Sequence, residues 1–183
     1  NWQEKAQALL LHEKMKAASP LIEAQGLLVM GLLAEPVMLF ATEPEAESRL
    51  SHFEEFTEPS SWQAWRDDPQ SVLVSKKMAE KLSLSAGSTA VVMLPGSEGK
   101  QTEPSVLSLR VAGVYETGTE VDNHLVLAQL PLLQRYYKME GVAAIRFTLD
   151  NWLDADTVAW ELSQILPRGY YLRTWFQTHG NLY

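Results

Sequence analysis

The period of apolar and polar positions changes several times along the chain. Trp2, Ala6, Leu9 and Leu10 recur at helical spacing, and Asn1 with Glu4 has the form of a capping box. The spacing predicts a helix from there to about Ala17. Ser19-Pro20 should end it, because a residue before proline is biased out of the α region. Two extended segments follow: Leu21–Leu33, apolar and punctuated by glycine, and Pro36–Thr42, which carries Val37, Leu39 and Phe40. Pro44–Glu58 is acidic and mixed, the composition of a short helix and loop. Trp62 and Trp65 then stand three residues apart ahead of Arg66-Asp67-Asp68-Pro69, a turn signal.

The second half is more sharply punctuated. Val72-Leu73-Val74 reads as a buried strand, and Ser75 as the cap of a helix to about Leu82 with Met78, Ala79 and Leu82 on one face. Thr89, Val91, Val92 and Leu94 are mostly β-formers and predict a strand. Val106–Tyr115 is its returning partner, so the polar stretch between them is an exposed loop or hairpin tip. Leu125-Val126-Leu127 is a further strand. Pro131 fits the first turn of a helix, which needs no backbone N–H there, and that helix carries Leu132, Leu133, Tyr136 and Tyr137. Ala143, Ile145, Phe147 and Leu149 alternate as a strand. Ala155, Val158, Ala159, Leu162, Ile165 and Leu166 have helical spacing, closed by Pro167-Arg168-Gly169. Tyr170–Thr174 reads as a last strand. Strands and helices are mixed, with hairpins in the middle and no solenoid period, which argues an α+β fold over a doubly wound parallel sheet.

Composition narrows the function. A chain of 183 residues, 46% hydrophobic and 21% charged, builds a proper core and is not wholesale disordered. Its formal charge of −8 repels phosphate backbones, so nucleic acid is not an expected partner. The absence of cysteine excludes disulfides, thiolate metal sites and cysteine nucleophiles. The longest candidate apolar run, Leu27–Leu33, is far too short to cross a bilayer. The sequence opens with neither an initiator Met nor a signal-peptide pattern, and the abrupt ends at Asn1 and Tyr183 read as those of a segment of something longer or of a processed soluble protein.

Local chemistry is sparse. No Walker A, dinucleotide or Gly-x-Ser-x-Gly pattern occurs, and Gly96-Ser97-Glu98-Gly99 reads as a solvated turn, not a phosphate cradle. His12, His52, His124 and His179 form no ligand pair at helical spacing. Glu120, Asp122 and His124 alternate and would share a face on a strand, although a polar loop is the preferred reading. Most carboxylates read as solvated surface charge. Trp62 and Trp65 read better as core rings than as a ligand platform. Trp175 and Tyr183 fit a membrane interface or a packed terminus equally well. No catalytic, metal or cofactor-binding residue is expected.

An ordered set of segments carries a resemblance. They are Asn1-Trp2-Gln3-Glu4, Trp62-Gln63-Ala64-Trp65-Arg66, Val72–Leu84 followed by Gly87, Val91–Pro95, Leu109–Val114, Gly118–Asp122, and Thr174-Trp175-Phe176-Gln177-Thr178-His179-Gly180-Asn181-Leu182-Tyr183. Together they resemble the periplasmic domain of the LolC/LolE-type permease subunits of the lipoprotein-releasing ABC transporter, LolE most closely. The resemblance implies a MacB-like fold with a porter-like α/β lobe, here residues 1–50 and 141–183, and an inserted, β-rich, sabre-like lobe, residues 51–140. It implies a non-enzymatic domain at the periplasmic face of the bacterial inner membrane. Its expected partners are a second permease subunit, a cytoplasmic ATPase, lipoprotein substrates and, through the complex, the chaperone LolA. The family's chaperone-recruiting hook corresponds to Pro95, Gly96, Ser97, Glu98, Gly99, Lys100, Gln101, Thr102, Glu103 and Pro104, the candidate partner-contact loop. This stretch is short and polar and lacks an apolar, proline-rich tip, so strong chaperone recruitment is not expected of it. The alternatives are another MacB-like or cell-division-type permease and, in a different class, a small soluble hydrolase built from scattered carboxylates or serine.

Overall fold

The computed structural model describes residues 2–10, 13–95 and 105–174. Seven strands and six α-helices make up most of the described chain: α1 (Trp2–Leu10), β1 (Met15–Met30), β2 (Leu33–Thr42), α2 (Pro44–Leu50), α3 (Pro59–Asp67), β3 (Ser71–Ser75), α4 (Lys76–Leu82), β4 (Thr89–Leu94), β5 (Ser105–Tyr115), β6 (Leu125–Gln129), α5 (Leu130–Tyr137), β7 (Ala144–Leu149) and α6 (Ala155–Ile165). The architecture is α+β, as expected.

Six of the strands close into a ring. Their pairing runs β1–β2–β6–β3–β5–β4 and returns to β1. Two of these contacts are parallel, β2 with β6 and β3 with β5, and the others are antiparallel. Closure leaves the ring no free sheet edge. β7 stands outside it and, among the described residues, pairs only with the first half of β1, where Leu21 faces Ala144 and Ser19 faces Arg146.

The pairing list has a two-fold pattern. The segment β1-β2-β3-α4 and the segment β4-β5-β6-α5 each open with an antiparallel pair, and each third strand leads directly into a helix. The two first strands pair with each other, as do the two third strands, and each third strand lies parallel to the other segment's second. Even the helix ends agree. α4 and α5 both stop at a left-handed non-glycine residue, Ser83 at φ 54° and Lys138 at φ 50°, whose N–H bonds back into the last turn. The repeat lies in topology, and no solenoid period was expected from the sequence.

Alternation sorts the side chains. Ile22, Ala24, Leu28, Val37, Leu39, Ala41, Val72, Val74, Ala90, Val92, Leu94, Leu109, Val111, Val126 and Ala128 point into the ring, where α4 and α5 add Met78, Leu82, Leu132 and Leu133. On the outside, Trp62 and Trp65 of α3 are both buried, with ring centroids 4.8 Å apart, beside Leu73, Tyr115 and Leu127. The core reading of this pair therefore holds. Its seat depends on a bulge where the β3–β5 register shifts between Val72 and Leu73, so that Gly113 meets α3. A Cβ on Gly113 would lie 2.1 Å from the Ser61 hydroxyl, so only glycine fits there.

A smaller assembly lies beside the ring. α1, the first half of β1, β7 and α6 meet around Met15, Val158 and Leu162, with Leu9, Leu10, Phe147 and Leu149 packed against them. Between it and the ring sits a buried polar cluster. Glu47 of α2 is fully buried, and its Oε2 accepts from Arg146 Nη2 of β7, from Ser19 Oγ of β1 at 3.2 Å and from Thr42 Oγ1 of β2 at 3.1 Å. The Arg146 guanidinium also stacks 4.3 Å from the Phe40 ring centroid.

Two sequence expectations are corrected. The first helix is described only to Leu10, and Met15–Ser19 is strand; β1 runs straight through Pro20, opposite Ile145. β1 has a partner on one edge only over this stretch, so a residue without N–H is accommodated. Residues 170–174 form no strand. Glu120–Asn123 is a 3₁₀ turn leading into β6, in keeping with the preferred polar-loop reading.

Candidate functional site

Of the candidate loop, only Pro95 falls within the described residues; residues 96–104 lie outside them. Pro95 is exposed, and its carbonyl accepts from the Tyr136 hydroxyl of α5 at 3.2 Å. What the structure does show is the base from which the loop springs. Leu94 pairs with Ser105, so residues 95–104 connect the two strands of a hairpin.

Directly below that closing pair lies an outward-facing apolar row. Pro36, Leu27, Met93 and Val106 stand side by side in register on β2, β1, β4 and β5. The next outward row holds Ala34, Val29, Val91 and Ser108. Inward neighbours Leu28 and Val92 are fully buried, whereas Leu27 is 44% and Val106 62% exposed. Both parities of these strands are thus apolar, one for the ring interior and one for the surface. Sequence reasoning assigned this stretch to strands but missed the second face. Its signal was the unbroken runs Leu27–Met30 and Val91–Leu94, where a strand with one solvated face would alternate.

At its far end β1 turns into β2 through Gly31 and Leu32. The positive φ of 60° at Gly31, with none at Leu32, is the signature of a type II′ hairpin. Leu32 is fully exposed at this tip and Leu33 is half exposed. Gly26 serves the other end: a Cβ there would lie 2.7 Å from the Met93 carbonyl, so its absence lets β4 come close to β1.

The other candidate residues have structural occupations. The Asp122 carboxylate accepts from Thr117 N at 3.1 Å, Thr117 Oγ1 at 2.7 Å and Gly118 N at 2.8 Å, which closes the loop ahead of β6. Ser75 Oγ caps α4 by accepting from Met78 N at 3.1 Å and donates to the Asp122 carbonyl at 2.6 Å. Among the described residues, no group of three or more metal-ligating side chains converges. His52 and Glu55 meet on an exposed turn at 3.0 Å. Tyr115 is buried, its hydroxyl donates to the Leu125 carbonyl at 2.7 Å, and burial first and then the nearby Asp122 charge push its ionisation far above the usual tyrosine range. Lys76 is raised by its hydrogen bond to Glu116 and that carboxylate's charge, as an exposed pair. Among the described residues the geometry offers surfaces and a joint, with no constellation of nucleophile, base and oxyanion donors.

Comparison with known proteins agrees. No family model matches the chain. Along its entire length it is 25% identical to the lipoprotein-releasing system transmembrane protein LolC of Xylella fastidiosa, in strain Temecula1 and in strain 9a5c. The chain spans 45% of the length of those relatives. Among solved structures, the periplasmic region of MacB from Actinobacillus actinomycetemcomitans superposes with a TM-score of 0.52 and 11% identity, over 89% of this chain and 73% of that one. The extracellular domain of the noncanonic ABC-type transporter YknZ from Gram-positive bacteria gives 0.54 and 14%, over 97% and 83%. The chain has the fold of these MacB-like extracytoplasmic domains and is similar, from end to end, to LolC of the lipoprotein-releasing system.

Proposed function

We propose that the chain is the extracytoplasmic domain of a permease subunit in a lipoprotein-releasing ABC transporter, at the periplasmic face of the inner membrane. It guides lipoproteins toward a periplasmic carrier and catalyses no reaction; a separate cytoplasmic ATPase and a second permease subunit complete the machine. The observation that carries this reading is the end-to-end similarity to LolC, on a fold shared with transporter domains. In this reading residues 1–50 with 141–183 form the porter-like lobe and 51–140 the inserted lobe, tied together by the hydrogen bonding of β1 and β2 to strands of both. Within the LolC/LolE pair the role is LolE-like, supported by the sequence of Thr174–Tyr183, and the polar composition of residues 95–104 speaks against strong chaperone recruitment.

The test is genetic. An in-frame deletion of this segment from the chromosomal gene should leave outer-membrane lipoproteins in the inner-membrane fraction. Unchanged sorting overturns the reading. A pull-down separates the subunit roles: tight LolA binding, abolished by deleting residues 95–104, would reassign the chain to chaperone recruitment.

A further inference from the structure

We infer that the exposed aromatic face of the smaller assembly rests in the interfacial layer of a lipid bilayer. Eleven large apolar side chains are exposed among the described residues, and six of them fall within the short stretch Trp152–Tyr171. The stretch is distinctive in kind as well as number. Every tryptophan and tyrosine among the eleven, namely Trp152, Trp160, Tyr170 and Tyr171, lies here, whereas the exposed residues elsewhere are leucine, valine and phenylalanine. Rings that carry an apolar body and a polar tip are favoured at the headgroup level of a membrane.

The shape suits a flat apolar medium better than an enclosed ligand. α6 and the segment after it form an open cleft of about 710 Å³, lined by Trp160, Leu166, Pro167 and Tyr171 among others. Its rim projects into solvent, with Trp160 66% and Tyr171 94% exposed, so these rings are buried only by something laid across them. Arg168 lines the same cleft, and the Lys5 ammonium bonds the Tyr170 hydroxyl; both have stems long enough to keep their charge at the headgroups.

Ring chemistry selects the bilayer over a protein partner, because amphipathic aromatic rings beside long basic stems are what the headgroup layer favours. The LolC relatives are transmembrane proteins, and more than half of their length lies outside the part that matches. The overall charge of −8 opposes attraction to anionic lipid, so the contact is apolar in origin. The inference rests on the transporter reading only for the presence of a bilayer.

The lack of cysteine permits a direct test. An environment-sensitive nitrobenzoxadiazole label is placed at W160C, at Y171C or, as a control on the outer face of the ring, at S108C. Each protein is held by a histidine tag appended after Tyr183 on vesicles of phosphatidylcholine with a little nickel-chelating lipid. Blue-shifted emission at 160 and 171, with most of it lost to nitroxide-bearing phosphatidylcholine, is expected, and neither change at 108. Unshifted, unquenched emission at 160 and 171 overturns the inference. So does a blue shift that rises with protein concentration in the absence of vesicles, which would assign the face to a second copy of the chain. Failure here leaves the lipoprotein-sorting test untouched, so the two readings fail separately.

Discussion

The ring and the smaller assembly share one strand but are held by different means. The ring buries 22 apolar residues in one continuous core and has no free strand edge. The smaller assembly centres on a cluster of three buried side chains, Met15, Val158 and Leu162, relies on partly exposed neighbours, and ends in a two-strand sheet. Burial at roughly 25 cal/mol per Å² makes the first self-sufficient and the second dependent on what it leans against. That dependence is met on one side by the Glu47–Arg146 cluster, which ties β7 to α2 and β2. The difference teaches where this molecule opens first: at the small assembly, with the ring intact.

The comparison breaks most readily at the joint. Arg146→Met strands the fully buried Glu47 carboxylate without its cation, and unfolding in urea should show a loss of about 3–5 kcal/mol. Glu47→Leu combined with Arg146→Met should recover most of it, since the charge is then gone from both sides. A double variant as unstable as the single one would show that the cluster acts through shape and not through charge.

Matched core truncations sharpen the contrast. Leu39→Ala, inside the ring, should lower global stability by about 2–5 kcal/mol. Leu162→Ala in α6 should instead accelerate hydrogen exchange in α6 and β7 while ring amides keep their protection, a local opening below the global one. Equal loss of protection in β3 and β6 would mean that the two regions unfold as one.

Alkali probes the outer side of the ring. Because Tyr115 ionises far more reluctantly folded than unfolded, its contribution is complete below the free tyrosine value of about 10 and fades as pH rises beyond it. Stability should therefore fall above about pH 10, and Tyr115→Phe should flatten that limb while costing about 1 kcal/mol at neutral pH for the lost bond to Leu125. The smallest effect is a gain. Lys138→Gly relieves a left-handed residue at the end of α5, and a thermal melt should rise by the equivalent of up to about 1 kcal/mol.

The elements between residues 71 and 137 were the most legible in sequence, because local chemistry opens their helices: the Ser75 cap of α4 and the proline at the start of α5. The start of β1 was not. Lys16-Ala17-Ala18-Ser19 has no β-branched residue and continues a helical spacing, and only pairing with β7, more than a hundred residues away, makes it strand. Tyr170–Thr174 is the converse case, with strand-forming side chains in a segment that pairs with no strand. Ring closure depends on the β1–β4 and β3–β6 pairings, which leave no local mark. At the candidate site the hairpin was legible and its apolar outer row was not, since Leu27 and Pro36 reach it from strands distant in sequence from Met93 and Val106.

The length of β1 has a mechanical consequence. Sixteen residues of strand make a contour of about 50 Å, clasped by β7 at one end and by β2 and β4 at the other. A strand hydrogen-bonded in this way has no soft joint between its two holders. A tilt of the β7 end by about five degrees would swing the Leu32 tip by roughly 4 Å over that contour. The smaller assembly and the exposed hairpin tip are then the two ends of one stiff rod, and neither can be displaced without the other registering it.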